Sequence, residues 1–226
     1  MPAAQPAEVV PDFNCRGARQ RLLLIAPPSS YRTVAYLESA RRQGVDVLVA
    51  SEGRFSLVSE VAGGLHVDLS DPMALDVLLA ENRQRPFSGV VATDDSTVEL
   101  GSRVAQSLGL PHNPPSAARL SQRKDLSRQA LAAAAVPVPG FRVIDLAAPV
   151  EAQLAGVVFP CVVKPLALSA SRGVIRADTP AGLLAACARV QAILAAEPAA
   201  DARVNSCLLL ESFVSGPEVA VEGLLH

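Results

Sequence analysis

The sequence predicts an α/β unit followed by a second unit of α+β type, and three observations predict it. Apolar runs at Arg21–Ala26, Val45–Ala50 and Gly89–Ala92 suit strands covered on both faces, as in a parallel sheet. Helical patterns lie between these runs, so strand and helix alternate, which argues for right-handed crossovers. The alternation stops after Pro111-His-Asn-Pro114-Pro115, a stiff, extended segment unsuited to a helix interior.

In chain order, residues 1–19 have weak periodicity and read as a flexible extension, and 20–113 read as the first domain. A helix is expected from about Tyr31 to Gln43, closing on Gly44, where a residue tolerating positive φ suits a helix end. Asp71-Pro72 reads as a helix start, with the carboxylate as cap, proline in the first turn, and Leu75, Leu78 and Leu79 on one buried face. Thr93-Asp94-Asp95 follows the Gly89–Ala92 strand, and Ser96 to Glu99 has capping-box spacing. The helix it opens would bury Val98, Val104, Ala105 and Leu108 and end at Gly109.

The second domain is expected over 114–226. A helix over Ala117–Val136 leads to strands near Phe141–Ile144, Val157–Val163 and Gly173–Ala177. Thr179-Pro180 then caps a helix carrying Leu183, Cys187, Val190 and Leu194 on one face. Residues 195–202 read as a loop before a strand over Asn205–Val214.

Composition narrows the function classes. Lys+Arg 20 against Asp+Glu 22, 4% aromatics and no tryptophan exclude a basic or base-stacking surface, so no nucleic-acid partner is expected. No apolar run approaches the roughly 20 residues that cross a bilayer, and the N-terminus lacks the basic-then-apolar pattern of a signal peptide. Cys15, Cys161, Cys187 and Cys207 are scattered, as are His66, His112 and His226, so neither a zinc site nor a disulfide framework is expected. The chain reads as soluble and cytoplasmic.

Chemistry concentrates in the second half. The turn after the first strand, Ala26-Pro-Pro-Ser-Ser-Tyr31, has two prolines and no glycine, so dinucleotide binding is not expected there. Lys164 ends an apolar strand and precedes a proline. Alone it reads as a snorkelling lysine, but a phosphate is the other natural partner for a point charge so placed. Leu166 to Gly173 is a small, hydroxyl-bearing turn whose amides and hydroxyls can close over phosphate oxygens; alone it is an ordinary hairpin loop. Lys124 opens a helix and alone reads as a surface lysine. The closing stretch Leu208-Leu-Leu-Glu211-Ser-Phe-Val214-Ser-Gly216-Pro-Glu218 puts two carboxylates seven residues apart around a short hinge.

Taken together, Lys124 before an alanine-rich helix and Val-Pro-Val-Pro139, Phe159-Pro-Cys-Val-Val-Lys164-Pro165, the Ser169–Val174 loop, and Glu211 through Glu218-Val-Ala-Val-Glu222-Gly resemble the ATP-grasp superfamily. The closest likeness is to its carboxylate–amine ligase branch, which includes L-amino-acid ligases. The resemblance implies a Rossmann-like pre-ATP-grasp domain and an ATP-grasp domain that is incomplete at its C-terminus. It implies that Lys124 and Lys164 contact the ATP phosphates and that Ser169, Ser171 and Gly173 belong to a flap over them. Glu211, Ser212 and Val214 would form the hinge at the adenine, and Glu218 would hold the ribose. ATP would then activate a small carboxylate as an acyl phosphate for attack by an amine, with Mg2+ expected in the full-length protein. A homodimer is compatible with this. Ala170 stands where the family often has glycine, the family's metal ligands fall beyond the chain, and no catalytic or metal-ligating residue is assigned. A non-catalytic nucleotide-binding module, or an enzyme of purine-biosynthetic or biotin-carboxylase type, are the alternatives. Substrate contacts are expected from Pro27–Tyr31 and Thr93–Ser96.

Overall fold

The computed structural model describes residues 20–28, 30–52, 63–197, 202–221 and 223. The expected extension over 1–19, Cys15, Glu222 and His226 lie outside the described residues. The chain divides into two units, Met1–His112 and Asn113–His226.

In the first unit, strands β1 (Arg21–Ile25), β2 (Asp46–Ser51), β3 (Gly63–His66) and β4 (Gly89–Ala92) form a wholly parallel sheet in the order β3-β2-β1-β4. Side chains alternate across the sheet, and both faces are covered. Leu23, Ile25 and Ala50 pack with Leu78 and Val104, from helices α2 (Ala74–Gln84) and α3 (Val98–Ser107). Leu24, Ala26 and Val49 pack on the other face with Leu37 of α1 (Thr33–Arg42). Two apolar faces explain the uninterrupted hydrophobic runs. The order, with β1 between β2 and β4, is the Rossmann-like, doubly wound arrangement, and its switch point lies at the carboxyl ends of β1 and β4.

The second unit is built differently. Strands β5 (Phe141–Asp145), β6 (Cys161–Pro165), β7 (Ile175–Ala177) and β8 (Cys207–Ser212) form an antiparallel sheet in the order β5-β8-β6-β7. The helices are α4 (Pro115–Gln122), α5 (Lys124–Ala133), α6 (Pro180–Ala195) and the short α7 (Ala202–Asn205). The Thr179 hydroxyl accepts the Gly182 amide at 3.1 Å, capping α6. Leu183, Cys187, Val190 and Leu194 then pack on Ile144, Cys161, Val163, Leu208 and Leu210. Alternation sends Lys164, Leu209 and Glu211 to the opposite face. Among the described residues no helix is long and apolar enough to cross a membrane.

Several expected boundaries shift for local reasons. Asp71 does not cap a helix directly. Its Oδ1 accepts the Met73 amide at 2.8 Å in a side-chain turn, and α2 begins at Ala74. The capping box expected at Ser96–Glu99 forms two residues earlier, between Asp94 and Thr97, where the Asp94 amide donates to Thr97 Oγ1 at 3.4 Å. The helix expected over 117–136 breaks at Arg123, which is extended (φ −111°, ψ 103°) because the Lys124 amide donates to Leu166 O at 3.0 Å instead of continuing the helix ladder. β6 starts at Cys161, not Val157: the Val157 amide closes a turn onto Leu154 O, and Pro160 has no amide to offer a ladder. β3, in Gly63-Gly-Leu-His66, has too little apolar pattern to be read from sequence.

Leu183 is fully buried between α6 and the antiparallel sheet. Leu183→Ala is expected to lower unfolding free energy by about 2–5 kcal/mol, whereas Val143→Ala, at a half-exposed position, is expected to cost under about 1 kcal/mol; urea denaturation checks the contrast.

Candidate functional site

Glu211 sits near the end of β8, on the sheet face away from α6, with a side chain only 6% exposed. A buried carboxylate needs partners, and two cations supply them. Lys164 Nζ from the neighbouring β6 lies 2.5 Å from Oε2, and Arg128 Nε from α5 donates to Oε1 at 2.7 Å. The register explains the first contact: Val162 pairs with Glu211 and Lys164 with Leu209, so the two side chains are diagonal neighbours on one face.

Lys124 is fixed beside this pair by the break between α4 and α5. Its amide donates to Leu166 O, and its Nζ donates to Leu168 O at 2.6 Å, so both ends of the residue are tied to the segment that leaves β6. Arg123 forms a two-pronged pair with Asp125, at 3.0 and 2.8 Å. Burial alone would push the Asp125 carboxyl up; the Arg123 guanidinium and the amides of the first helical turn outweigh it and hold the carboxyl below its ordinary value.

The turn between β6 and β7 carries the serines. Ser169 and Ser171 are exposed, and Ser169 O and Ser171 O accept the amides of Arg172 and Val174, each at 3.2 Å. Ala170 (φ +55°), Ser171 (φ +57°) and Gly173 (φ +73°) are all left-handed. Ala170 therefore holds a conformation that glycine would adopt without steric cost. At Gly173 a Cβ would meet Pro165 Cγ at 3.0 Å and Val190 Cγ1 at 3.4 Å, so this position needs glycine. Arg172 pairs with Glu197 at 2.7 Å and ties the turn to the end of α6.

At the end of β8 the amides of Ser212 and Phe213 are already committed, to Gly140 O at 2.8 Å and Pro160 O at 3.1 Å. Val214 is the first residue past the strand whose amide has no backbone acceptor among the described residues. Glu218 follows in the exposed, irregular segment and makes no ion pair with the described residues. The structure thus brings together Lys124, Lys164, Glu211 and the base of the serine turn, but leaves Glu218 apart.

In the first unit, Arg32 Nη1 reaches across the switch point to Thr93 O at 2.9 Å and approaches Asp94 at 3.9 Å. Burial pushes the thiols of Cys161 and Cys187 up, which suits core residues and not nucleophiles. Among the described residues no cluster of three or more His, Cys, Asp or Glu could hold a metal ion. Their donor set does not fit a magnesium ion.

Residues 37–112 match the model of the ATP-grasp N-terminal domain, and residues 157–226 match that of the ATP-grasp domain. The chain belongs to the ATP-grasp superfamily. Its relatives include an uncharacterized protein, y4rH, of Sinorhizobium fredii, 32% identical over 146 residues, covering 62% of this chain and 30% of that protein. A formate-dependent phosphoribosylglycinamide formyltransferase of Stenotrophomonas maltophilia is 31% identical over 156 residues, covering 68% of this chain and 38% of the enzyme. Among solved structures, L-amino acid ligase from Bacillus licheniformis superposes with a TM-score of 0.72 at 21% identity, over 88% of this chain and 47% of the ligase. An N5-carboxyaminoimidazole ribonucleotide synthetase solved with ADP gives 0.64 at 14% identity, over 86% and 47%. At these identities the structures share the fold. The chain spans less than half the length of each of these relatives.

Within this ATP-grasp chain, sequence reasoning missed Arg128. It stands four residues after Lys124, one helical turn along the same face, and that spacing was the available signal.

The Asp125 pairing carries a pH signature. A depressed carboxyl contributes stability that is present above its unfolded pKa of about 4 and is lost as pH falls through the lower folded value. The stability advantage of the wild type over Asp125→Asn is therefore expected to be full at pH 6 and to shrink steadily below about pH 4; paired denaturation curves measure it.

Proposed function

We propose that this chain is the nucleotide-holding part of an ATP-grasp ligase that activates a carboxylate for attack by an amine. The observation that carries the reading is that both lysines are held in place, Lys164 Nζ on Glu211 Oε2 at the end of β6 and Lys124 on Leu166 O and Leu168 O of the segment that leaves β6. Two fixed ammonium groups beside a turn with three left-handed residues suit a polyphosphate. In this reading Lys124 and Lys164 neutralise the charge that grows on the phosphates as the γ-phosphoryl leaves. Ser169, Ser171 and Gly173 close over it. The Val214 amide and its neighbours Glu211 and Ser212 face the adenine edge, and Glu218 takes the ribose hydroxyls once the segment after β8 folds over the nucleoside.

The carboxylate oxygen attacks the γ-phosphorus and ADP departs. The amine nitrogen then attacks the carbonyl carbon of the acyl phosphate, inorganic phosphate leaves, and the nitrogen gives up a proton. The loops Pro27–Tyr31 and Thr93–Ser96, at the switch point of the first unit, are the ones proposed to contact a substrate. Ser30 Oγ there is buried without a partner among the described residues, which supports a ligand on that side. Free Cys161, Cys187 and Cys207 suit a cytoplasmic setting.

The names of the relatives favour two substrate sets: amino acids, from the ligase, and formate with an amine-bearing phosphoribosyl compound, from the formyltransferase. The 31% identity to the latter keeps formate as a specific second reading. ADP release from the complete protein, screened with amino-acid pairs and with formate plus phosphoribosylglycinamide, separates them; stimulation by no carboxylate–amine pair would remove the ligase assignment. Binding is tested independently. Lys164→Ala and Glu218→Ala are each expected to weaken ADP by about tenfold or more in calorimetry, and unchanged affinity in both variants would sink the site.

A further inference from the structure

Two cations share the one buried carboxylate of Glu211, and only one of them, Lys164, has a role in the reading above. We propose that Arg128 is a positioning residue for Lys164: by holding Oε1 of Glu211 it fixes Oε2 against the Lys164 ammonium and leaves the cluster one positive charge in excess for a polyphosphate.

A lone Lys164–Glu211 pair would be neutral, and its carboxylate would be free to rotate and take the ammonium with it. With Arg128 Nε at 2.7 Å from Oε1 and Lys164 Nζ at 2.5 Å from Oε2, each oxygen has its own cation and the carboxylate plane is set. The three side chains come from separate elements, α5, β8 and β6, and Arg128 is itself three-quarters covered. Its place on α5, one turn after Lys124, couples the helix that carries one lysine to the strand that carries the other. Arg128 acts through Glu211 and Lys164, not on the nucleotide.

This inference rests on the nucleotide reading, and the experiment separates the two. ADP and adenosine affinities are measured for the complete protein and for Arg128→Gln, Arg128→Lys, Glu211→Gln and Lys164→Ala. The expected result is about a tenfold loss for ADP in Arg128→Gln with adenosine nearly unchanged, and recovery to within about threefold in Arg128→Lys. Glu211→Gln is expected to weaken ADP although it raises the positive charge of the cluster; tighter ADP binding there would overturn the proposal even if Arg128→Gln fails to fold. Equal losses for ADP and adenosine in Arg128→Gln would make Arg128 a mere brace and overturn it too. Weakening by Lys164→Ala with none by Arg128→Gln would overturn this inference alone, whereas unchanged ADP binding in Lys164→Ala would remove the nucleotide reading beneath it.

Discussion

The ion pair between Lys164 and Glu211 is the constraint on which the second unit's arrangement rests. Neither group tolerates burial alone, because removing a charge from water costs several kcal/mol unless a partner and hydrogen bonds replace the solvent. The antiparallel register of β6 and β8 places them diagonally on one face, so the pairing is possible only if that register is kept. A slip of one residue between these strands would turn one of them over, sending Lys164 or Glu211 into the apolar layer under α6, among Cys161, Val163, Leu208 and Leu210, and leaving the other without its partner. Core and charge pair thus specify the same register from opposite faces.

That sidedness organises the rest. The α6 face supplies the apolar burial and the other face holds the polar groups. The break at Arg123 turns α5 so that Lys124 meets the strand exit through Leu166 O and Leu168 O and Arg128 meets Glu211. A continuous helix over 117–136 would have satisfied the Lys124 amide internally and removed the link to Leu166. The serine turn is tied at its C-terminal end, by Gly173 close against Pro165 and Val190 and by Arg172 on Glu197. Its middle, Ser169 to Ser171, is exposed.

What the sequence disclosed follows from how local each cause is. The strands of the parallel sheet and the apolar stripe of α6 were legible because side-chain period alone specifies them, and Thr179-Pro180 announced its helix by cap chemistry. Lys164 stood out because a lysine at the end of an apolar strand is costly without a partner. Its partner was less legible. The resemblance places Glu211 at the hinge, while the structure shows its side chain engaged by Lys164 and Arg128. Arg128 was invisible for the same reason: an arginine on a short helix is ordinary until a distant strand is known to pass it. The break at Arg123 and the start of β6 at Cys161 are likewise decided by long-range hydrogen bonds that no local pattern contains.

The pairing also bears on what the site does when empty. A covered ammonium with no partner would destabilise the fold. Glu211 supplies that partner as an internal anion and orients Lys164. In the proposed nucleotide reading the consequence is a competition: an incoming phosphate would share Lys164 with a carboxylate already at 2.5 Å. Sharing is least costly when the carboxylate has a second cation to lean on, which Arg128 provides, because Glu211 is then not stranded as the ammonium shifts toward the ligand. Preorganisation of this kind limits the motion required on binding. It also couples the three charges, since removing any one takes a partner from at least one of the others.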